Sequence, residues 1–161
     1  MSGFRASAGF TEEWQHFDFS VEDRVATITF SRPDKLNALT FDVYADLRDL
    51  LREVPHRDDI AALIITGEGR GFCSGGDVDE IIGELVHSEP RRLLEFTRMT
   101  GAVVQAMREC PLPVIAAVNG TAAGAGAVIA LAADFRLAAD DAALYPAKKR
   151  ISRASASLPS R

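Results

Sequence analysis

The sequence is poor in cysteine: two occur among 161 residues, Cys73 and Cys110. No C-x-x-C pair and no histidine-rich neighbourhood accompanies them, so the sequence signals neither a disulfide framework nor a zinc or other metal site. The N-terminal residues also lack the apolar run of a secretory signal. A reduced, cytoplasmic protein without a metal is therefore the expectation.

Long hydrophobic runs are scarce as well. The one membrane-like stretch, residues 113–133, is uncharged and contains a G-x-x-x-G spacing from Gly120 to Gly124. Asn119-Gly120 inside it is a strong turn signal, and Ala-rich segments are only weakly hydrophobic. A buried strand, a turn and a helix are expected here, and no membrane span.

Basic residues are outnumbered, with 18 Lys and Arg against 23 Asp and Glu. Five of the basic residues and no acid lie in 142–161, which leaves the rest of the chain with a net charge of −10. Contacts to nucleic-acid phosphates need clustered Lys and Arg, so the acidic body is not expected to bind nucleic acid. A chain with 47% hydrophobic and 25% charged residues is instead typical of one soluble globular domain.

The hydrophobic periodicity switches repeatedly between that of a strand and that of a helix. Strands are predicted at 16–21, 25–30, 60–66, 114–118 and 135–138, and helices at 40–54, 78–86, 90–108 and 124–132. This alternation predicts an α/β fold with parallel strand pairing. Residues 1–13 are expected to be flexible. Residues 140–161, rich in Ser, Arg and Lys, are expected to be disordered or the product of an out-of-frame segment.

Two glycine-rich loops each follow a predicted strand and precede a predicted helix. The first reads G-E-G-R-G-F-C-S-G-G-D over 67–77, and the second reads N-G-T-A-A-G-A-G over 119–126. Neither matches G-x-G-x-x-G or the P-loop pattern, so binding of a nucleotide phosphate is a weak alternative. Either loop alone is commonly just a tight turn. Two such loops from neighbouring strands can present two backbone N–H groups to one oxygen, which is the geometry of an oxyanion hole.

Three motifs together resemble the enoyl-CoA hydratase/isomerase (crotonase) family. They are S-R-P-D-K-L-N-A-L at 31–39, G-F-C-S-G-G-D at 71–77 and P-V-I-A-A-V-N-G-T-A-A-G-A-G at 113–126. The resemblance covers about residues 14–139 and implies an α/β, crotonase-like (ClpP/crotonase) spiral of ββα units, truncated at its C-terminal side. It also implies an acyl-CoA thioester as the ligand, with coenzyme A as part of the substrate and no separate cofactor.

The resemblance assigns candidate site residues by position. The backbone N–H groups of Gly76 and Ala125 would hold the thioester oxygen and stabilise an enolate. The other positions expected to contact substrate or CoA are Lys35, Asn37, Ala38, Ser74, Gly75, Asp77 and Gly124. Apart from the resemblance, Lys35 reads as a solvated loop charge, and Asp77 is expected to cap the helix that begins at Val78.

Two departures from the family leave the general acid or base unknown. Val128 stands where hydratases of the family carry a glutamate, and their second glutamate belongs to the segment that residues 140–161 replace. The expected parent activity is hydration of a 2-enoyl-CoA, a lyase reaction of fatty acid metabolism, with double-bond isomerisation left open. The alternative is an inactive remnant or a non-enzymatic scaffold that binds CoA or a partner. The family also implies a homo-oligomer, a trimer or hexamer, whose interface helices lie in the departing segment.

Overall fold

The computed structural model describes residues 14–145. Its strands are β1 (Phe17–Glu22), β2 (Val25–Phe30), β3 (Ala62–Gly67), β4 (Gly71–Cys73), β5 (Val114–Val118), β6 (Thr121–Ala123), β7 (Phe135–Ala138) and β8 (Ala143–Tyr145). Its α-helices are α1 (Phe41–Glu53), α2 (Gly83–Leu85), α3 (Pro90–Glu109) and α4 (Ala125–Ala132). Short 3-10 turns occupy Pro33–Lys35 and Val54–His56, and a π-helical turn spans Val78–Ile82.

The larger sheet has the strand order β1-β2-β3-β5-β7. β1 and β2 form an antiparallel hairpin, and Asp23 and Arg24 at its turn both have positive φ, as a tight hairpin turn requires. Every other pair in this sheet is parallel. The prediction of an α/β fold with parallel pairing is thus confirmed.

A smaller, parallel sheet of three short strands, in the order β4-β6-β8, was not foreseen from the sequence. Strands of three residues carry no measurable periodicity, and their pairing comes from tertiary contact. β8 corrects the expectation for residues 140–145, because Ala143–Tyr145 pairs in register with Thr121–Ala123. The expectations for residues 1–13 and 146–161 lie outside the described residues.

The predicted helices are present with small shifts. Thr40 caps α1, since its Oγ1 accepts a hydrogen bond from the Val43 N–H at 3.3 Å, and Leu47, Leu50 and Leu51 on this helix are buried. The helix predicted at 78–86 instead opens with the π-helical turn, in which the Ile82 N–H reaches the Asp77 carbonyl at 3.4 Å. α1 and α3 pack against each other over the core.

The uncharged stretch 113–133 contains β5 and α4, the predicted strand and helix, and the unpredicted short strand β6 lies between them. Within residues 14–145, no helix combines the length and apolar character that a membrane crossing requires.

Candidate oxyanion site

The two glycine-rich loops touch each other at Gly75 and Gly124. Both residues have positive φ, +105° at Gly75 and +51° at Gly124. A Cβ added at Gly75 would lie 3.1 Å from the Ala123 carbonyl oxygen and 3.4 Å from the Ala125 nitrogen. A side chain at Gly75 would thus be strained and crowded, so this approach of the two loops requires glycine there.

The approach brings together two backbone N–H groups that have no acceptor. Ala125 is the first residue of α4, where N–H groups have no intrahelical partner. Gly76 pairs with Leu39 in an isolated β-bridge. In this bridge the Leu39 N–H donates to the Gly75 carbonyl and the Asp77 N–H donates to the Leu39 carbonyl, each at 2.8 Å, so the Gly76 N–H is not used. Within residues 14–145, neither the Gly76 nor the Ala125 N–H donates to a protein acceptor. Free donors on adjacent loops, one at a helix N-terminus, can stabilise a negatively charged oxygen.

Gly76 and Ala125 line different cavities. Gly76 lines a cavity of about 270 Å³ together with Lys35, Ala38, Ser74, Asp77, Val78 and Asp79. Ala125 lines an apolar cavity of about 390 Å³ together with Tyr44, Phe96, Thr97, Thr100, Gly101, Val103, Val104, Val128 and Ile129. We call the first the polar cavity and the second the apolar cavity. The touching loops therefore lie between a charged space and a hydrophobic one.

Lys35 and Ser74 lie together in the polar cavity. Ser74 Oγ donates to the Lys35 carbonyl at 3.2 Å, and the Lys35 ammonium lies 3.5 Å from Asp79 Oδ2. Both partners of this ion pair are well exposed, so it is weak and the Lys35 ammonium stays available to an anion.

The Asn37 side chain is engaged by hydrogen bonds within the protein. Its buried amide donates to the carbonyls of Glu68 and Gly71 at 2.9 and 2.8 Å, and its Oδ1 accepts from the Arg32 N–H at 2.9 Å. The side chain thus ties the 31–39 segment to the first glycine loop. Its φ of 56° also fixes the turn before Ala38.

Asp77 caps the π-helical turn, as the sequence predicts. Its Oδ1 accepts from the N–H groups of Asp79 and Glu80 at 3.0 and 3.1 Å, and its Oδ2 lies 3.0 Å from an Arg32 guanidinium nitrogen. These backbone N–H groups, foremost that of Glu80, and then Arg32 hold the pKa of the Asp77 carboxyl below its ordinary value. A carboxylate engaged in this way stays ionised and is a poor proton donor.

We expect Asp77→Asn to destabilise the protein by about 1 to 2 kcal/mol at neutral pH, because the amide no longer balances the Arg32 charge. The lowered pKa of Asp77 makes its contribution complete above the ordinary carboxyl value of 3.8. The contribution then declines as the pH falls through the folded-state pKa. Urea unfolding at a series of pH values measures this. If the difference in free energy of unfolding between wild type and Asp77→Asn does not shrink below about pH 4, the stabilising role of the Asp77 carboxylate is contradicted.

The apolar cavity beside Ala125 offers no general acid or base among the described residues. Val128 lines the apolar cavity, and none of the residues that line it within 14–145 is Asp, Glu or His. Glu80 is engaged elsewhere, since its Oε1 accepts from the Phe41 N–H at 2.9 Å. Burial raises the pKa of the Cys73 thiol to about 12, so Cys73 packs as a neutral side chain.

Sequence reasoning missed Arg32, Glu80 and Tyr44 as residues of this region. Arg32 donates to the Ala38 carbonyl at 2.8 Å besides pairing with Asp77, and Glu80 holds the start of α1. The Arg32–Asp77 and Glu80–Phe41 pairs join residues that are distant along the chain, so no local pattern signals them.

The parallel sheet and the two apposed glycine loops are those of a crotonase-type α/β protein. The family model described as "Enoyl-CoA hydratase/isomerase" matches residues 20–152. The chain belongs to this family.

Several relatives carry related names. The 1,2-epoxyphenylacetyl-CoA isomerase of Escherichia coli K12 is 39% identical over 122 residues, covering 76% of this chain and 47% of that protein. A crystal structure named "putative enoyl-CoA hydratase" from Streptomyces coelicolor A3(2) is 64% identical with a TM-score of 0.76, covering 86% of this chain and 50% of that one. An enoyl-CoA hydratase structure from Mycobacterium avium subsp. paratuberculosis K-10 is 33% identical with a TM-score of 0.70, covering 80% and 49%. The chain therefore spans about half the length of these relatives.

Proposed function

We propose that this protein binds an acyl-CoA thioester and holds its carbonyl oxygen with the backbone N–H groups of Gly76 and Ala125. The observation that carries the proposal is a pair of donors on two touching loops, between a polar and an apolar cavity, that have no acceptor among the described residues. When a thioester is deprotonated next to its carbonyl, or attacked at its β-carbon, negative charge collects on that oxygen. Fixed donors at that point stabilise the enolate more than the ground state, which accelerates the reaction.

The two cavities suit the two ends of such a ligand. Coenzyme A carries phosphates, and the Lys35 ammonium in the polar cavity can exchange its exposed Asp79 partner for one of them. The acyl group would enter the apolar cavity, whose volume of about 390 Å³ falls in the usual range of small-ligand sites. The small residues Gly75, Gly76 and Gly124 let the thioester approach the backbone closely.

For the parent reaction we propose hydration of a 2-enoyl-CoA. Double-bond isomerisation is the second candidate, because the family model includes isomerases by name and a relative at 39% identity is named an isomerase. Binding without turnover is a third, favoured by the lack of an Asp, Glu or His lining the apolar cavity within the described residues. Mass spectrometry of crotonyl-CoA incubated with the protein would distinguish hydration from the other two, because only hydration adds the mass of one water to the thioester.

The binding step is tested by isothermal titration calorimetry with hexanoyl-CoA, free coenzyme A and S-hexyl-CoA, the thioether without the carbonyl. We expect hexanoyl-CoA to bind about fivefold or more tightly than S-hexyl-CoA, because only the thioester offers an acceptor to both donors. A folded sample that gives no heat with millimolar hexanoyl-CoA would contradict the proposal.

Assembly, location and pathway remain proposals as well. We propose a homo-oligomer from the family resemblance, a cytoplasmic location from the cysteine pattern, and a role in fatty acid metabolism from the acyl-CoA ligand. Light scattering during gel filtration would measure the oligomeric state.

A further inference from the structure

Tyr44 projects from α1 to the apolar cavity and is almost completely buried. Tyr44 is one of the residues that line the cavity, and 4% of the surface of Tyr44 remains accessible to solvent. The ring stands edge-on to Phe96, another lining residue, with 5.9 Å between the ring centroids and 89° between the planes. Packing by Phe96 therefore holds the Tyr44 ring in place within a mainly hydrophobic wall.

The hydroxyl of Tyr44 has no hydrogen-bond partner within residues 14–145. The side-chain oxygens and nitrogens that are fully buried and lack a hydrogen-bond partner do not include the Tyr44 oxygen. This oxygen therefore contributes to the small accessible surface of Tyr44. Among the cavities described within residues 14–145, Tyr44 lines the apolar one. Burial raises the pKa of Tyr44, so the phenol keeps its proton and acts as a donor.

The other hydroxyls of the cavity wall already donate to the protein. Thr97 Oγ1 donates to the Leu93 carbonyl at 2.9 Å, and Thr100 Oγ1 donates to the Thr97 carbonyl at 3.1 Å. Tyr44 is thus the one side chain lining this cavity, among the described residues, whose donor is unused. A buried donor without an acceptor is costly, and a ligand atom that accepts from it removes that cost.

We propose that the Tyr44 hydroxyl makes the cavity selective for acyl groups that carry a hydrogen-bond-accepting oxygen within the chain, such as an ether, a hydroxyl or a carbonyl. The proposal rests on the proposed acyl-CoA binding and names the class of acyl group. A plain alkyl chain of the same shape leaves the donor unsatisfied. A site with a committed donor discriminates against such an analogue more strongly than a hydrophobic wall distinguishes two hydrocarbons.

The test compares hexanoyl-CoA with its oxa-analogues, in which an oxygen replaces the methylene at carbon 3, 4 or 5. These thioesters have nearly the same shape and differ in one acceptor atom. We expect at least one oxa-analogue to bind wild type about fivefold more tightly than hexanoyl-CoA in calorimetry. Tyr44→Phe keeps the ring and its Phe96 contact, and it should reduce that ratio to about one. Thr97→Val removes a hydroxyl that already donates to a carbonyl, so it should retain the wild-type ratio.

Two results would overturn the selectivity. Either no oxa-analogue is preferred by wild type, or Tyr44→Phe, shown to be folded by circular dichroism, keeps the preference. If neither hexanoyl-CoA nor any oxa-analogue binds folded wild type, acyl-CoA binding itself is contradicted and the selectivity falls with it. Equal binding of all the thioesters contradicts the role of Tyr44 alone.

Discussion

Replacing Ala125 with proline is expected to remove the preference of the protein for hexanoyl-CoA over S-hexyl-CoA, while Ala125→Gly keeps it. Proline has no backbone N–H, so it deletes one of the two donors, whereas glycine retains it. The thioether lacks the carbonyl and should bind both variants equally. In a form that turns over substrate, loss of one such donor should lower the rate by about 100-fold.

The position of Ala125 makes this substitution a fair test. It is the first residue of α4, where proline is well tolerated because the N–H has no intrahelical acceptor. Gly124 before it has φ 51° and ψ −121°, the mirror image of the extended region that a residue preceding proline prefers. Thermal unfolding should therefore show similar stability for both variants. A folded proline variant that matches the glycine variant within about twofold in thioester preference and in rate would show that Ala125 only packs.

Gly126→Ala is expected to destabilise the protein by about 3 kcal/mol, which lowers the melting temperature by about 10 °C. A Cβ at this position would lie 2.1 Å from the Cys73 carbonyl oxygen and 2.7 Å from the Cys73 Cβ. Cys73 belongs to β4 and is fully buried, so its backbone cannot yield. α4 would have to move away from β4, and the Ala125 N–H would move away from Gly75 with it.

Gly101→Ala serves as the matched control. Gly101 lies inside α3, and an added Cβ there would meet nothing within 4 Å. Alanine is a better helix former than glycine, so this variant should be more stable than wild type by about 0.5 to 1 kcal/mol. Urea unfolding of both variants measures the contrast. If the free energy of unfolding of Gly126→Ala lies within about 0.5 kcal/mol of the wild-type value, the close packing of α4 on β4 is contradicted.

The sequence predicts those parts of the fold that depend on short-range pattern. β2, β5 and β7 have the predicted bounds, α1 lies within the predicted helix 40–54, and the parallel pairing follows from the alternation of elements. The Asp77 cap is equally local, because its acceptor and the Glu80 N–H lie three residues apart. Such features need only neighbouring residues, so the linear sequence contains them.

The candidate site was partly predictable. The glycine loops and the family motifs indicate Gly76 and Ala125, but they do not indicate that both N–H groups lack an acceptor within residues 14–145. The side-chain amide of Asn37 binds Glu68 and Gly71. That role depends on loops that meet only in the folded chain.

By itself, therefore, the sequence determined the α/β class, the family, the capped helices and the glycine loops, because periodicity, capping and backbone freedom act over a few residues. The tertiary structure alone decided the small β4-β6-β8 sheet, the Arg32–Asp77 ion pair and the packing of Tyr44 against Phe96 in the wall of the apolar cavity. Each of these joins segments far apart in the chain. Their contacts form only when packing of the whole core brings those segments together, so no pattern of neighbouring residues predicts them.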